Sequence, residues 1–153
     1  MNLQYSGRED IPAGRDVVWS FITEPSSIAT CMPDLVSWSQ VDPRRFDAVV
    51  QVGVGPVRGK FTFHVTLDPH PDDNRMDMRI AGGGLGSVVD LDATSDVSSH
   101  GDATTLVWNA TATMRGPVAT VGGRVIDAQA RRIIEATFAN VKTRIGATAA
   151  APR

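Results

Sequence analysis

The side chains in this sequence that could do chemistry are few, and their spacing argues against a reaction centre. His64, His70 and His100 are the three histidines and Cys31 the single cysteine. No two histidines stand four apart on a helical pattern, as paired metal ligands would, so no metal site is expected. Asp90, Asp92 and Asp96 recur along one strand face. Paired carboxylates can do general acid–base work inside a shielded cleft. Here the alternation places them on the solvated side, where charged groups ordinarily sit. No Gly-x-Ser-x-Gly elbow occurs, and Cys31 has no nearby histidine to activate it. No catalytic residue is expected.

The glycine-studded stretch VGVGPVRGKF, Val52 to Phe61, superficially resembles a phosphate-binding loop. Such a loop must lead from a strand into a helix, whose amino terminus then faces the phosphates. After Gly59 the run KFTFHVTL alternates strictly, so a strand follows, and no Lys-Ser/Thr pair closes a Walker loop. GGGLGS fails in the same way, because SVVDLDA reads as a strand. Both stretches are expected to be hairpin connections.

The elements around these residues follow from periodicity. Leu3, Tyr5 and Ile11 share one side of a first strand, and two short helical segments follow in PAGRDVVWSFIT and EPSSIATCMP. Six alternating runs come next, separated by DPRR, GVGPVRG, DPHPDDN, GGGLG and SSHGD. A single long helix is expected from about Pro117 to Ile145, ending at Gly146. Its apolar stripe is read as Val118, Gly122, Val125, Ile126, Ala130, Ile133 and Val141, opposite Arg124, Asp127, Arg131, Glu135 and Lys142. The expected fold is α+β: a seven-stranded antiparallel sheet wrapped around a long carboxy-terminal helix, with two short helices after the first strand. Residues 1–146 form one domain on this reading, and 147–153 a disordered tail.

Composition narrows the partners. The chain has 153 residues and a net charge of −2, which gives no electrostatic reason to expect nucleic acid. One cysteine excludes an intrachain disulfide and suits a reducing compartment. No run reaches the roughly 20 apolar residues that span a bilayer. MNLQYSGREDIP lacks the order of a signal peptide. A cytoplasmic protein is expected.

What remains is apolar. The covered side of the sheet carries Phe61, Phe63, Met76, Met78, Trp108, Ala110 and Met114. Methionine and aromatic side chains make adaptable walls, and small residues between them (Gly59, Gly82, Ala110, Ala112) leave room. From the helix come Val118, Gly122, Val125 and Gln129, the last an amide that needs a hydrogen-bond partner if buried. These residues are the expected lining of a ligand cavity. A filled core would use the same residues.

The order of elements resembles the helix-grip fold of the START and birch-pollen-allergen (SRPBCC) superfamily. Within it the chain resembles the CoxG family of carbon monoxide dehydrogenase proteins, from about Tyr5 to Arg132. The resemblance lies in DVVWSFITEPSSIATCMPD, in Gly55, Pro56, Val57, Arg58, Gly59 and Phe61, and in Gly123, Arg124, Val125 and Ile126. Asp34 stands where the family usually has glycine, and SVVDLDATSDV replaces a GFAKG-like segment. The family's membrane-anchoring extension has no counterpart in ATAAAPR, so direct anchoring is not expected. The resemblance implies a non-enzymatic accessory protein for a molybdenum-containing carbon monoxide dehydrogenase-type enzyme. It also implies an isoprenoid quinone, such as menaquinone, in the cavity, and peripheral contact with the inner face of the cell membrane. Two alternatives stay open: an enzyme like the polyketide cyclases and aromatases, and a structural adaptor without ligand.

Overall fold

A computed structural model describes the backbone of residues 1–150 and the side chains of residues 1–147. Strand β1 (Asn2–Ile11) leads into helices α1 (Arg15–Ile22) and α2 (Pro25–Ala29). Six strands follow: β2 (Leu35–Asp42), β3 (Arg45–Val54), β4 (Val57–His70), β5 (Arg75–Gly84), β6 (Ser87–His100) and β7 (Ala103–Arg115). A 3-10 turn over Pro117–Thr120 precedes helix α3 (Gly123–Ala150). The strands form one antiparallel sheet in the order β1-β7-β6-β5-β4-β3-β2. Successive hairpins build β2 to β7, and β1 closes onto the far edge beside β7. This is the antiparallel sheet expected from the alternation and the helix-grip α+β order that the resemblance implies.

Both glycine-rich stretches are hairpin connections. Val54 pairs with Val57 around Gly55 and Pro56, and Gly84 pairs with Ser87 around Leu85 and Gly86. In the second turn Leu85 and Gly86 both have left-handed backbone, at φ 54° and 81°. Such two-residue turns favour Asn-Gly, and a leucine held there costs about 1 kcal/mol. Asp34 also lies in the left-handed region, at φ 61°. That conformation explains a glycine at this position, and aspartate is among the few other residues that tolerate it.

The helix differs from expectation at both ends. Residues 117–122 are not α-helical, and Gly122, at φ 97°, immediately precedes α3. Gly122 is therefore glycine for its backbone and does not lie on an inward helix face. At the other end α3 runs on to Ala150, past Gly146, through alanines that favour helix. The remainder of the expected tail, 151–153, lies outside the described residues.

The helix face is also rotated. Carrying the periodicity of Val118 and Gly122 into the helix put Val125 and Ile133 inside, yet they are 44% and 42% exposed. The phase is set from Gly123 onward, and the covered stripe is Ile126, Ala130, Ile134, Phe138, Val141 and Ile145. These stand three or four apart, as one helix face requires.

Burial is uneven along the sheet. At one end α1, α2 and the last turns of α3 cover Ile11, Val18, Phe46, Leu67, Leu106 and Ile145 in a continuous core. At the other end a small separate cluster gathers Val50, Val57 and Phe61. Thr104 serves the first core, its hydroxyl donating to the Ala13 carbonyl at 2.8 Å, so that a buried oxygen pairs.

Candidate ligand site between the sheet and the long helix

Cross-strand register lays out the inner face in rows. Leu67, Met78, Ala93, Ala110 and Tyr5 face one another across β4 to β1. The next row holds Phe46, Val65, Ile80, Leu91, Ala112 and Leu3. Beyond it come Ala48, Phe63, Gly82, Val89 and Met114. Helix α3 makes its closest backbone approaches to α1 and β3. Further along, Phe138 of α3 meets the Trp108 ring at 5.5 Å between centroids.

Between the two cores, apolar surface is therefore left partly open. Met78 and Ile80 border the larger core and Phe63 and Val89 the smaller. Leu91 and Ala93 belong to neither, and all six are only partly buried. The alanines at 93, 110 and 112 supply the room here. Gly82 does not, since a Cβ there would lie 2.1 Å from the Thr62 carbonyl oxygen, and Gly59 is covered by the Leu85 side chain.

Trp108 Nε1 is buried on this face without a hydrogen-bond partner among the described residues, and the buried Tyr5 hydroxyl has none in direct hydrogen-bond geometry, with the Asp127 carboxylate its near neighbour. Burial, and after it the Asp127 charge, holds the Tyr5 phenol above its usual pKa. Arg131 lies 5.8 Å over the same ring and bonds Asp127 at 3.0 Å. Glu9, also inward on β1, pairs with Lys142 at 2.9 Å.

A solvent-open cleft of about 530 Å³ lies between Gly53–Gly55 and the first turns of α3, bordered by Arg124, Val125, Gln129 and Arg132. Gln129 has its partner here: its Nε2 donates to the Gly53 carbonyl at 3.2 Å, tying helix to hairpin. Its Oε1 accepts from Arg132 Nε at 3.3 Å, and Arg132 reaches Asp34 at 2.8 Å.

The expected site residues thus separate. Phe63, Met78, Trp108, Ala110 and Met114 share the inner face, with Trp108 only 8% exposed. Met76 is absorbed in the larger core and Phe61 in the smaller. Val118 is buried in the 3-10 turn, its N–H donating to Ser87 Oγ at 2.9 Å. Gly122 is exposed, and Val125 and Gln129 border the cleft, not the inner rows. The sequence reading did not include Ile80, Leu91, Ala93, Ile134 and Phe138, and it is the strand register that brings Ile80 opposite Leu91 and Met78 opposite Ala93.

Cys31 is buried, and burial pushes its thiol up, away from the nucleophilic thiolate. Asp92 and Asp90 pair with Arg79 and Arg115 on the outer face. Asp68, His70 and Asp77 bring three ligand atoms within 4.8 Å of one another, a cluster that the turn-by-turn reading missed. Asp77 is also held by Arg75 at 3.2 Å.

A single long helix gripped by an antiparallel sheet defines the helix-grip fold. Solved structures carry the same fold. A conserved protein from Geobacillus kaustophilus superposes with a TM-score of 0.85 at 21% identity, covering 94% of this chain and 95% of that one. A START superfamily protein from Mycobacterium smegmatis gives 0.71 at 13%, covering 94% and 97%. The Zhui aromatase/cyclase from Streptomyces sp. R1128 gives 0.72 at 14%, covering 99% and 98%. A comparison with curated proteins gives no match. The pattern of the carbon monoxide dehydrogenase CoxG family matches residues 7–146, and the chain belongs to that family. No helix among the described residues is long and apolar enough to cross a membrane.

Proposed function

We propose that this protein is a non-enzymatic carrier of a hydrophobic ligand, an isoprenoid quinone such as menaquinone. It would serve a molybdenum-containing carbon monoxide dehydrogenase-type enzyme by linking it to the respiratory chain of the membrane. The observation that carries this reading is the partly open apolar surface of Phe63, Met78, Ile80, Leu91 and Ala93 between two closed cores. A domain selected for stability alone gains by filling such a gap, since interiors pack to near-crystalline density. Burying a polyisoprenoid against it removes apolar area from water at roughly 25 cal/mol per Å². The family membership supports the choice of partner enzyme. The chain's own part is to exclude water from the apolar body and leave a polar head toward the open cleft or toward Tyr5 and Trp108.

What favours an enzymatic alternative is Tyr5, a buried phenol facing the same interior. Its raised pKa makes it a poor base at neutral pH, so the carrier reading has the greater support. Organic extraction of the purified protein followed by mass spectrometry tests the reading. A stoichiometric isoprenoid quinone is the expected result; protein that extracts clean and takes up no added quinone overturns it.

A further inference from the structure

Trp108 carries a polar atom that the fold itself does not use. The side chain is 8% exposed, and its Nε1 is buried with no hydrogen-bond partner among the described residues. An indole N–H can only donate, and buried donors are ordinarily paired. Yet the place is shaped for this ring. Gly7 lies opposite on β1, and a Cβ there would stand 2.8 Å from the indole Cζ2 and 3.0 Å from Nε1. Phe138 of α3 packs on the same ring. Packing alone is served as well by phenylalanine, which brings no donor to leave unpaired.

The charges on this face limit what the donor can receive. Arg131 pairs with Asp127 at 3.0 Å and Lys142 with Glu9 at 2.9 Å, so both cations are already matched. Tyr5, opposite Ala110 and one row from the indole, has the Asp127 carboxylate as its near neighbour. A carboxylate brought to this face shares it with Asp127 and Glu9 and finds no cation set aside for it. Burying a charge without such a partner is costly. A hydrocarbon leaves the N–H as it is. A neutral carbonyl oxygen accepts from it and adds no charge.

We propose that Trp108 Nε1 anchors the polar end of the ligand and selects a neutral carbonyl over both a hydrocarbon and a carboxylate. The inference rests on the carrier reading and deepens it: the carbonyl-bearing end of the ligand lies inward, against β7. Three probes built on one ring system test it by equilibrium dialysis against the whole chain: 2-methyl-1,4-naphthoquinone, 2-methylnaphthalene and 2-naphthoate. The quinone should bind at least about fivefold more tightly than the hydrocarbon, the usual worth of one hydrogen bond, and the carboxylate most weakly. Trp108→Phe should bind quinone and hydrocarbon alike. A measurement on the wild type needs no tolerance of that substitution. The Trp108 indole N–H resonance, assigned with Trp19→Phe and Trp38→Phe, should move downfield with the quinone and not with the hydrocarbon. Equal binding of the two by the wild type, or a preference that survives in folded Trp108→Phe, overturns the proposal. So does an indole signal that the quinone leaves in place, tighter binding of 2-naphthoate, or binding of none of the three. In each of those cases the ligand found by extraction still decides the carrier reading separately.

Discussion

Phe46 and Phe63 are two phenylalanines on the same covered face of neighbouring strands, yet they live in different surroundings. Phe46 is fully buried beneath α1, α2 and the end of α3. Phe63, opposite Ala48, borders the smaller cluster and keeps part of its ring open toward the gap. The first end of the sheet is built as a core. The second is built from the same residue types but gathers a smaller cluster, because α1 and α2 lie at the first end and α3 begins only at Gly123. Composition cannot separate them; coverage does. The difference teaches that coverage by α1, α2 and the end of α3, and not residue type, decides how tightly each part of one sheet face is packed.

The sharpest way to break that comparison is to truncate both rings. Phe46→Ala should cost 3–5 kcal/mol, about the usual loss for a fully packed phenylalanine. Phe63→Ala should cost roughly half as much, since the ring gives up only part of its burial. Urea denaturation measures both, and equal losses would mean that the interior is packed uniformly.

Overfilling makes the converse test, with a smaller expected effect. Ala48 is fully buried, whereas Ala93 faces the gap. Ala48→Phe should destabilise by about 1–3 kcal/mol, the common range for overpacking. Ala93→Phe should stay within about 1 kcal/mol of the wild type, because there is space to receive the ring. A collapse of Ala93→Phe in thermal melts would mean that the gap is already filled.

The smallest effect sharpens the picture of the inner face. Tyr5 is the single tyrosine, so tyrosinate absorbance reports it alone. Its raised pKa favours the neutral phenol in the folded state, mainly through burial and then through Asp127. The associated stability is present below the ordinary phenol pKa and is lost as pH rises through the folded value. Asp127→Asn should move the alkaline midpoint down without restoring the ordinary value, because burial remains. A midpoint that does not move would remove Asp127 from the account.

The sheet was legible because one face is wet: Asp90 and Asp92 opposite Leu91 and Ala93 fix a period of two that no helix could satisfy. The two hairpin turns were legible because strands flank them. The helix phase was not, since Val118 and Gly122 continue a helical spacing through residues that the backbone does not wind. Nothing in the identity of Gly122 distinguishes a left-handed residue from a packing glycine. For the site, the inner face that holds Phe63, Met78, Trp108, Ala110 and Met114 could be read from alternation alone. The split of Met76 and Phe61 into separate cores could not, because it depends on which elements cover each end. Nor could the unpaired Trp108 Nε1, which is defined by what its neighbours fail to offer.

The central claim is that the surface between the two cores takes an apolar ligand. With Trp19→Phe and Trp38→Phe, Trp108 becomes the remaining tryptophan of the three and reports from that surface. Titration with a soluble quinone should then quench its emission saturably, and Ala93→Phe should abolish the saturable phase while the domain stays folded. Quenching that rises without saturation, or that Ala93→Phe leaves unchanged, would contradict the account.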